Sequence, residues 1–265
     1  MKLNFCSLSS GSSGNCYYLG NELNGMLIDA GIAAGNIRKF LKNMNISMEN
    51  ILGVLVTHNH TDHIRGLELL ARKNNLPVFT THKIWKSIVS REKKISGITV
   101  REIELLQKFI LAGFVIEAFP VSHDAPETIG FHIGAGDLKT TIATDLGYIC
   151  QASAPYIKAA NLLVIESNYD EKMLMNGNYP YFLKARIRSD RGHLGNHQTS
   201  DFLADSMGEN LRHICLAHLS HQNNTPEIAL QTLQQTFRER GIITNGQLQI
   251  SILNRNMPSE VIRLN

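Results

Sequence analysis

The chain has 265 residues, of which 43% are hydrophobic and 18% charged, with a net charge of +3 and four cysteines. That apolar content supports a sizeable core and excludes a disordered chain, and one α/β sandwich or barrel can take up this length. No apolar run reaches membrane-spanning length, and the first residues lack the apolar stretch of a secretion signal. A charge of +3 is too small to mark a nucleic-acid partner by itself.

Residues 3–8, 16–19 and 26–29 read as strands separated by turns rich in Gly, Ser and Asn. Residues 34–44 carry an amphipathic helical pattern. The apolar run 51–56 predicts a buried strand leading into Thr57-His58-Asn59-His60-Thr61-Asp62-His63, after which Ile64, Leu67, Leu69 and Leu70 recur at helical spacing. Residues 114–121, 128–133 and 139–144 predict three successive strands, and 162–166 and 212–216 two more. Helical patterns fall at 200–207 and 227–240. There is no linker, repeat or low-complexity break, and periodicity alone gives the class α/β. Cys6, Cys16, Cys150 and Cys215 are scattered without a CxxC pair, and three of them lie in or beside apolar runs. Buried thiols and a reducing cytoplasm are the expectation.

The richest stretch is the one after the strand at 51–56. In extended backbone, residues two apart point the same way, so His58 and His60 can grip one metal. Asp62 and His63, at the turn into the helix, face elsewhere and suit a second metal. Imidazoles and carboxylates are the donors that ions such as zinc prefer. A surface loop that happens to be His-rich is the bland alternative, and it would need four ligand-type residues to crowd by chance behind a buried strand.

The pattern at His58, His60, Asp62 and His63 resembles the HxHxDH signature of the metallo-β-lactamase-fold hydrolases. Leu27-Ile28-Asp29-Ala30-Gly31 is similar to that family's first motif, and Pro120-Val121-Ser122-His123 to its third. Ala143-Thr144-Asp145-Leu146-Gly147 is similar to the fourth, and Ile214-Cys215-Leu216-Ala217-His218-Leu219-Ser220 to the fifth. The resemblance implies a four-layer αββα sandwich, with residues 1–265 forming a single domain. It implies that His58, His60 and His123 hold one divalent ion, and that Asp62, His63 and His218 hold a second. Asp145 would bridge the two ions, and Asp29 would buttress the histidine loop from behind. Zinc is the first expectation for the two ions and manganese the second. Two cations roughly 3.5–4 Å apart can share a water that loses its proton near neutral pH and attacks, while they stabilise charge on substrate oxygens. Asp62 and Asp145 thus belong to the catalytic set as well as the ligand set.

Substrate is indicated by residues outside the ligands. Ser9-Ser10-Gly11-Ser12-Ser13-Gly14-Asn15 is similar to the Gly/Ser-rich loop of the family's nucleases. Its amides and hydroxyls, with Ser12, Ser13 and Asn15, can form a phosphate nest, or it is a plain hairpin turn. Lys172, Tyr179, Tyr181, Lys184, Arg186, Arg188 and Arg191 form a basic, aromatic stretch between two ligand motifs. Its cations can track phosphates and its tyrosines can stack on bases, with Arg186 and Arg188 the chosen contacts; a solvated basic helix is the alternative. His193, flanked by Gly192 and Gly195, is needed by neither ligand set. It is a candidate for positioning the scissile phosphate or protonating the leaving oxygen, against a loop or helix-capping histidine.

The motifs SSGSSGN, ESNYD, RSDRGHLGN and HLSHQNN together resemble the YycJ/WalJ group of that family. This implies a 5′→3′ exonuclease acting on nucleic acid, DNA ahead of RNA, in the cytoplasm and away from membranes. Gly195 stands where a serine is usual and His221 where an acidic residue is common, so no role is carried to either. The interval between Asp145 and His218 is too short for an inserted β-CASP lid, which points to an accessible strand or end as substrate. The alternative is a small-molecule hydrolase: a lactonase, thioesterase or cyclic-phosphate phosphodiesterase. A redox-linked metal binder is a third class, but the exchange of a histidine for carboxylate usual in its iron sites is not visible.

Overall fold

Runs of alternating inward and outward side chains build two facing sheets. The computed structural model describes residues 2–91, 95–244 and 246–264. The first half of the chain supplies β1 (Leu3–Ser9), β2 (Cys16–Gly20), β3 (Gly25–Ile28), β4 (Ile51–Leu55), β5 (Val78–Thr80) and β6 (Val100–Glu102). The second supplies β7 (Lys108–Leu111), β8 (Phe114–Pro120), β9 (Ile129–Ala135), β10 (Leu138–Ala143), β11 (Leu162–Glu166), β12 (His213–Ala217) and β13 (Gln249–Ile252). A last strand, β14 (Ile262–Leu264), crosses back to pair antiparallel with β1, Leu3 opposite Leu264. The sheet orders are β14-β1-β2-β3-β4-β5-β6 and β13-β12-β11-β10-β9-β8-β7.

The helices are α1 (Ala34–Asn43), α2 (Thr61–Ile64), α3 (Leu67–Asn74), α4 (His82–Arg91), α5 (Ala154–Lys158), α6 (Glu171–Asn176), α7 (Tyr181–Arg188), α8 (Asn196–Ser206) and α9 (Pro226–Glu239). Pairs at helical spacing cover the first sheet: Ile37 and Leu41 from α1, Leu67 and Leu70 from α3, Ile84 and Ile88 from α4. The period of two shows in β11, where Leu162 and Val164 join the core between the sheets while Leu163 and Ile165 face outward. Leu203 of α8 and Leu233 and Phe237 of α9 pack with that outer face. Burying each such side chain stabilises the fold by about 1.5–3 kcal/mol. The layers are therefore helix, sheet, sheet, helix, the expected αββα order. Cys6, Cys16 and Cys215 are buried, Cys150 is half-buried, and all four are free thiols. No helix among the described residues is long and apolar enough to cross a membrane.

The elements read from periodicity all appear, with ends shifted by a few residues. The helix expected at 200–207 begins earlier, at Asn196, because the Gln198 side chain accepts the Gly195 backbone N–H and satisfies its first turn. The short strands β5, β6, β7, β13 and β14 were not expected. Three of the five have only three residues, too few to show a period.

One arrangement positions the site. β3 and β4 run parallel, as do β10, β11, β12 and β13. Their C-terminal ends carry Asp29, the 58–63 loop, Asp145, Glu166 and His218, and open sheets leave room for ligands at such ends.

Candidate metal centre

The histidine loop is held from behind by Asp29, a fully buried carboxylate one residue past β3. Its Oδ1 accepts the Thr57 N–H at 2.9 Å, and its Oδ2 accepts the Thr57 hydroxyl at 2.8 Å and lies 2.7 Å from His63 Nδ1. Gly31 allows the two loops to touch, since a Cβ there would lie 1.6 Å from the Asp62 carbonyl oxygen. Any side chain at position 31 would push the 58–63 loop away.

These bonds fix which ring nitrogen faces the centre. With its proton given to Asp29, the Thr57 hydroxyl accepts from His58 Nδ1 at 3.0 Å, so His58 Nε2 keeps its lone pair. His123 Nδ1 donates to the Gly192 carbonyl at 2.9 Å, which likewise frees Nε2. His63 Nδ1 is held by Asp29, turning Nε2 toward Asp145 Oδ2 at 3.2 Å and Asp62 Oδ2 at 3.7 Å. His218 Nδ1 lies 3.0 Å from both Asp145 Oδ1 and Glu166 Oε1, and its Nε2 lies 3.8 Å from Asp62 Oδ2.

His58, His60 and His123 therefore form one cluster, and His58, His63 and Asp145 another. A third joins Asp145 and His218 to Glu166 and His193. Asp145 reaches His123 with Oδ1 and His63 with Oδ2, so it stands between these two histidines. Asp29, Asp145 and His218 have φ of 59°, 58° and 55°, a left-handed backbone that side chains other than glycine adopt at a cost and that recurs at functional sites.

The donor atoms fit divalent cations. His58 Nε2, His218 Nε2 and Asp145 Oδ2 are buried and have no hydrogen-bond partner. Leaving such atoms bare costs free energy that a cation would return. Burial, together with its histidine neighbours, pushes the His58 pKa well below the usual imidazole value. Burial also opposes charge on His218, yet Asp145 and Glu166 push its pKa up to about 10. Asp145 is itself buried, and His218 and His63 hold its pKa well below the carboxylate range.

Two residues of the site were given no role from the sequence, Asp124 and Glu166, although Glu166 opens the ESNYD motif. Glu166 is fully buried at the end of β11; its Oε1 lies 2.8 Å from His193 Nδ1, and its Oε2 accepts the Leu146 and Leu194 N–H groups. Despite burial, His193 and His218 bring its pKa down to about 2. The available signal was a glutamate closing an otherwise apolar strand, Leu162-Leu163-Val164-Ile165-Glu166. Asp124 follows His123 and meets both His60 and His123.

The substrate residues divide. Ser12 is exposed and lines a cleft of about 180 Å³ with Asp124, Asn168, Tyr179, Arg186 and His193. Asn15 is not free for a substrate. It is buried, with its amide committed to Gly11, Asp62 and His63, and so braces the ligand loop. Ser13 is exposed, its hydroxyl 3.3 Å from Asn256 Oδ1. Arg186 lies at the cleft, paired with Asp124. Arg188 turns away to Glu171 at 2.8 Å and lines a different hollow with Tyr169 and Asn196, because residues two apart on a helix face opposite sides. The Ser/Gly loop is strapped from outside, with Ser10 N–H bonded to the Asn254 carbonyl, Ser9 Oγ to that of Arg255 and Ser259 N–H to that of Ser7. Ser10 Oγ in turn accepts the His218 N–H at 3.0 Å.

A family profile described as "Beta-lactamase superfamily domain" matches residues 24–218, a span holding every motif from Asp29 to His218. The chain belongs to this superfamily. Within it, the chain is 36% identical over 98% of its length to exodeoxyribonuclease YycJ of Bacillus anthracis, 99% of which is covered. It is 33% identical to exodeoxyribonuclease WalJ of Streptococcus pneumoniae, with 85% of each chain covered. The crystal structure of the metallo-beta-lactamase fold protein YhfI from Bacillus subtilis superposes with a TM-score of 0.72 at 15% identity, covering 97% of this chain and 98% of that one. Resemblance to the YycJ/WalJ group and the αββα sandwich, both expected from the motifs, are thereby established.

Proposed function

We propose that this protein is a two-cation 5′→3′ exodeoxyribonuclease that takes DNA ends into the cleft between Ser12 and α7, acting as one domain in the cytoplasm. The observation that carries the proposal is the set of bare, buried donor atoms on His58, Asp145 and His218, with the His218 ring 5.3 Å from that of His193, which lines a cleft with Tyr179 and Arg186. The near full-length identity to exodeoxyribonucleases supports the substrate class.

In this proposal His58, His60 and His123 hold one ion, Asp62, His63 and His218 the other, and Asp145 lies between them. When bound, two such ions supply Lewis acidity and a nucleophile active near neutral pH, with zinc the first choice and manganese the second. Arg186 and Ser12 bind phosphate oxygens, and the ring of Tyr179 is available to a base in the cleft. Tyr181 and Phe182, 81% and 74% exposed at the head of α7, offer further stacking faces just outside. His193 donates a proton to the departing 3′ oxygen. Burial opposes its charged form, but Glu166 at Nδ1 raises its pKa, leaving Nε2 free for the substrate.

The test uses single strands of DNA and RNA labelled at either end, with the metal-free protein reloaded with Mn²⁺ or Zn²⁺. Mononucleotides should be released from the 5′ end of DNA, faster than from RNA, and Asp145→Asn should lose more than about 100-fold, beyond the loss typical of a ligand's supporting partner. Hydrolysis of a lactone or thioester with DNA left intact would overturn the proposal in favour of a small-molecule hydrolase.

A further inference from the structure

We infer that Asp124 is an additional ligand of the cation held by His58, His60 and His123, and that Arg186 holds it in place. The inference rests on the two-cation reading above and adds a residue to it.

The two oxygens of this carboxylate meet different surroundings. Oδ2 receives Arg186 Nε at 2.6 Å and is also bonded to Nη2, a two-pronged pairing that sets the carboxylate plane. Oδ1 is buried, has no hydrogen-bond partner, and lies 3.3 Å from His123 Nε2 and 3.6 Å from His60 Nε2. Ligands about 2.0–2.1 Å from one ion stand roughly 3–3.5 Å apart at neighbouring positions around it, so these spacings are close to those of donors sharing a cation.

Charge points the same way. The three histidines of this set contribute no negative charge, and Asp145 must serve both ions. The other set has Asp62, with Glu166 against His218. A carboxylate at Asp124 balances the histidine side. An oxygen left bare in a buried position is unfavourable unless something positive sits beside it, and Arg186 meets only the other oxygen, through Nε and Nη2, which leaves its Nη1 for phosphate. Arg186 is then a positioning residue: ligating carboxylates are commonly oriented by such outer partners. The helix that walls the cleft is thereby tied to the metal centre.

The test is calorimetric titration of Mn²⁺ into the metal-free protein. Wild type should show two sites. Asp124→Asn should weaken one of them by about 100-fold, and Arg186→Gln, which keeps the carboxylate but frees it to turn, by about 10-fold. Co²⁺ bound to Asp124→Asn should also show an altered visible spectrum, which a packing defect away from the ion would not produce. If Asp124→Asn is unstable, Arg186→Gln alone decides. Two sites of wild-type affinity in the variants overturn the inference and leave the two-cation reading standing, whereas fewer than two sites in wild type overturns that reading itself.

Discussion

Both halves of the centre are built from histidine, yet their surroundings pull its proton in opposite directions. At His58, His60 and His123, burial outweighs the nearby carboxylates and the imidazole pKa falls. At His63, His193 and His218, burial acts the same way but loses to Asp145, Asp29 and Glu166, and the pKa rises. The difference shows that equal burial does not fix a histidine's charge here: contact with the buried carboxylates Asp29, Asp145 and Glu166 reverses the direction of its shift. His193 and His218, two of the three with raised values, lie against Glu166 at the end of β11.

The sharpest break in that comparison is His193→Ala, which removes a proton donor from the β11 side and touches no lone pair on the other. Turnover on DNA should fall by about 10²–10⁴-fold with both ions retained by elemental analysis. Loss should be smaller on a nitrophenyl phosphodiester, whose leaving group needs no proton. Equal loss on both substrates would reduce His193 to positioning.

Asp29→Asn comes next. It weakens the acceptor directly behind His63 Nδ1 and reaches His58 only through Thr57, while leaving the His123 support intact, so the cation held by His63 should lose the more affinity, by about 10–100-fold. Equal weakening of both ions in a Mn²⁺ titration would show that the halves are not separable.

The mildest test follows imidazole resonances in the metal-free protein. His218 should remain protonated up to about pH 10, and Glu166→Gln should lower that value. His58 should stay neutral well below pH 6.5. The raised His218 value implies stability that is fully present below about pH 6.5 and lost as pH rises through about 10. A His218 that titrates near 6.5 would erase the contrast.

How much of this was legible depended on spacing along the chain. His58, His60, Asp62 and His63 fall within one short loop, so the sequence displays them together. Asp145 and His218 each stand alone behind an apolar strand and gain meaning only from the order of motifs. Glu166 and Asp124 were missed for a physical reason: a carboxylate ending a strand or following a histidine looks solvated until the strand is known to be buried. Arg186 and Arg188 looked equivalent in a basic run because charge carries no helical phase; the helix sends them to opposite sides. Asn15 looked like a loop polar group and turned out to brace the ligands, since its partners Asp62 and His63 are 47 and 48 positions away.

The strap over the Ser/Gly loop gives this enzyme a clock. Ser10 is bonded to Asn254 on one side and to the His218 backbone on the other, and β14 pairs with β1 at the opposite end of the chain. During synthesis, β1 waits with an open edge and Ser10, which holds the His218 N–H, without its outer partner until residues 254–264 have emerged. Contacts between such distant residues form late. A ribosome-bound chain carrying all seven proposed ligands would still lack β14 and the outer strap, so that part of the frame closes only when residues 254–264 have been made.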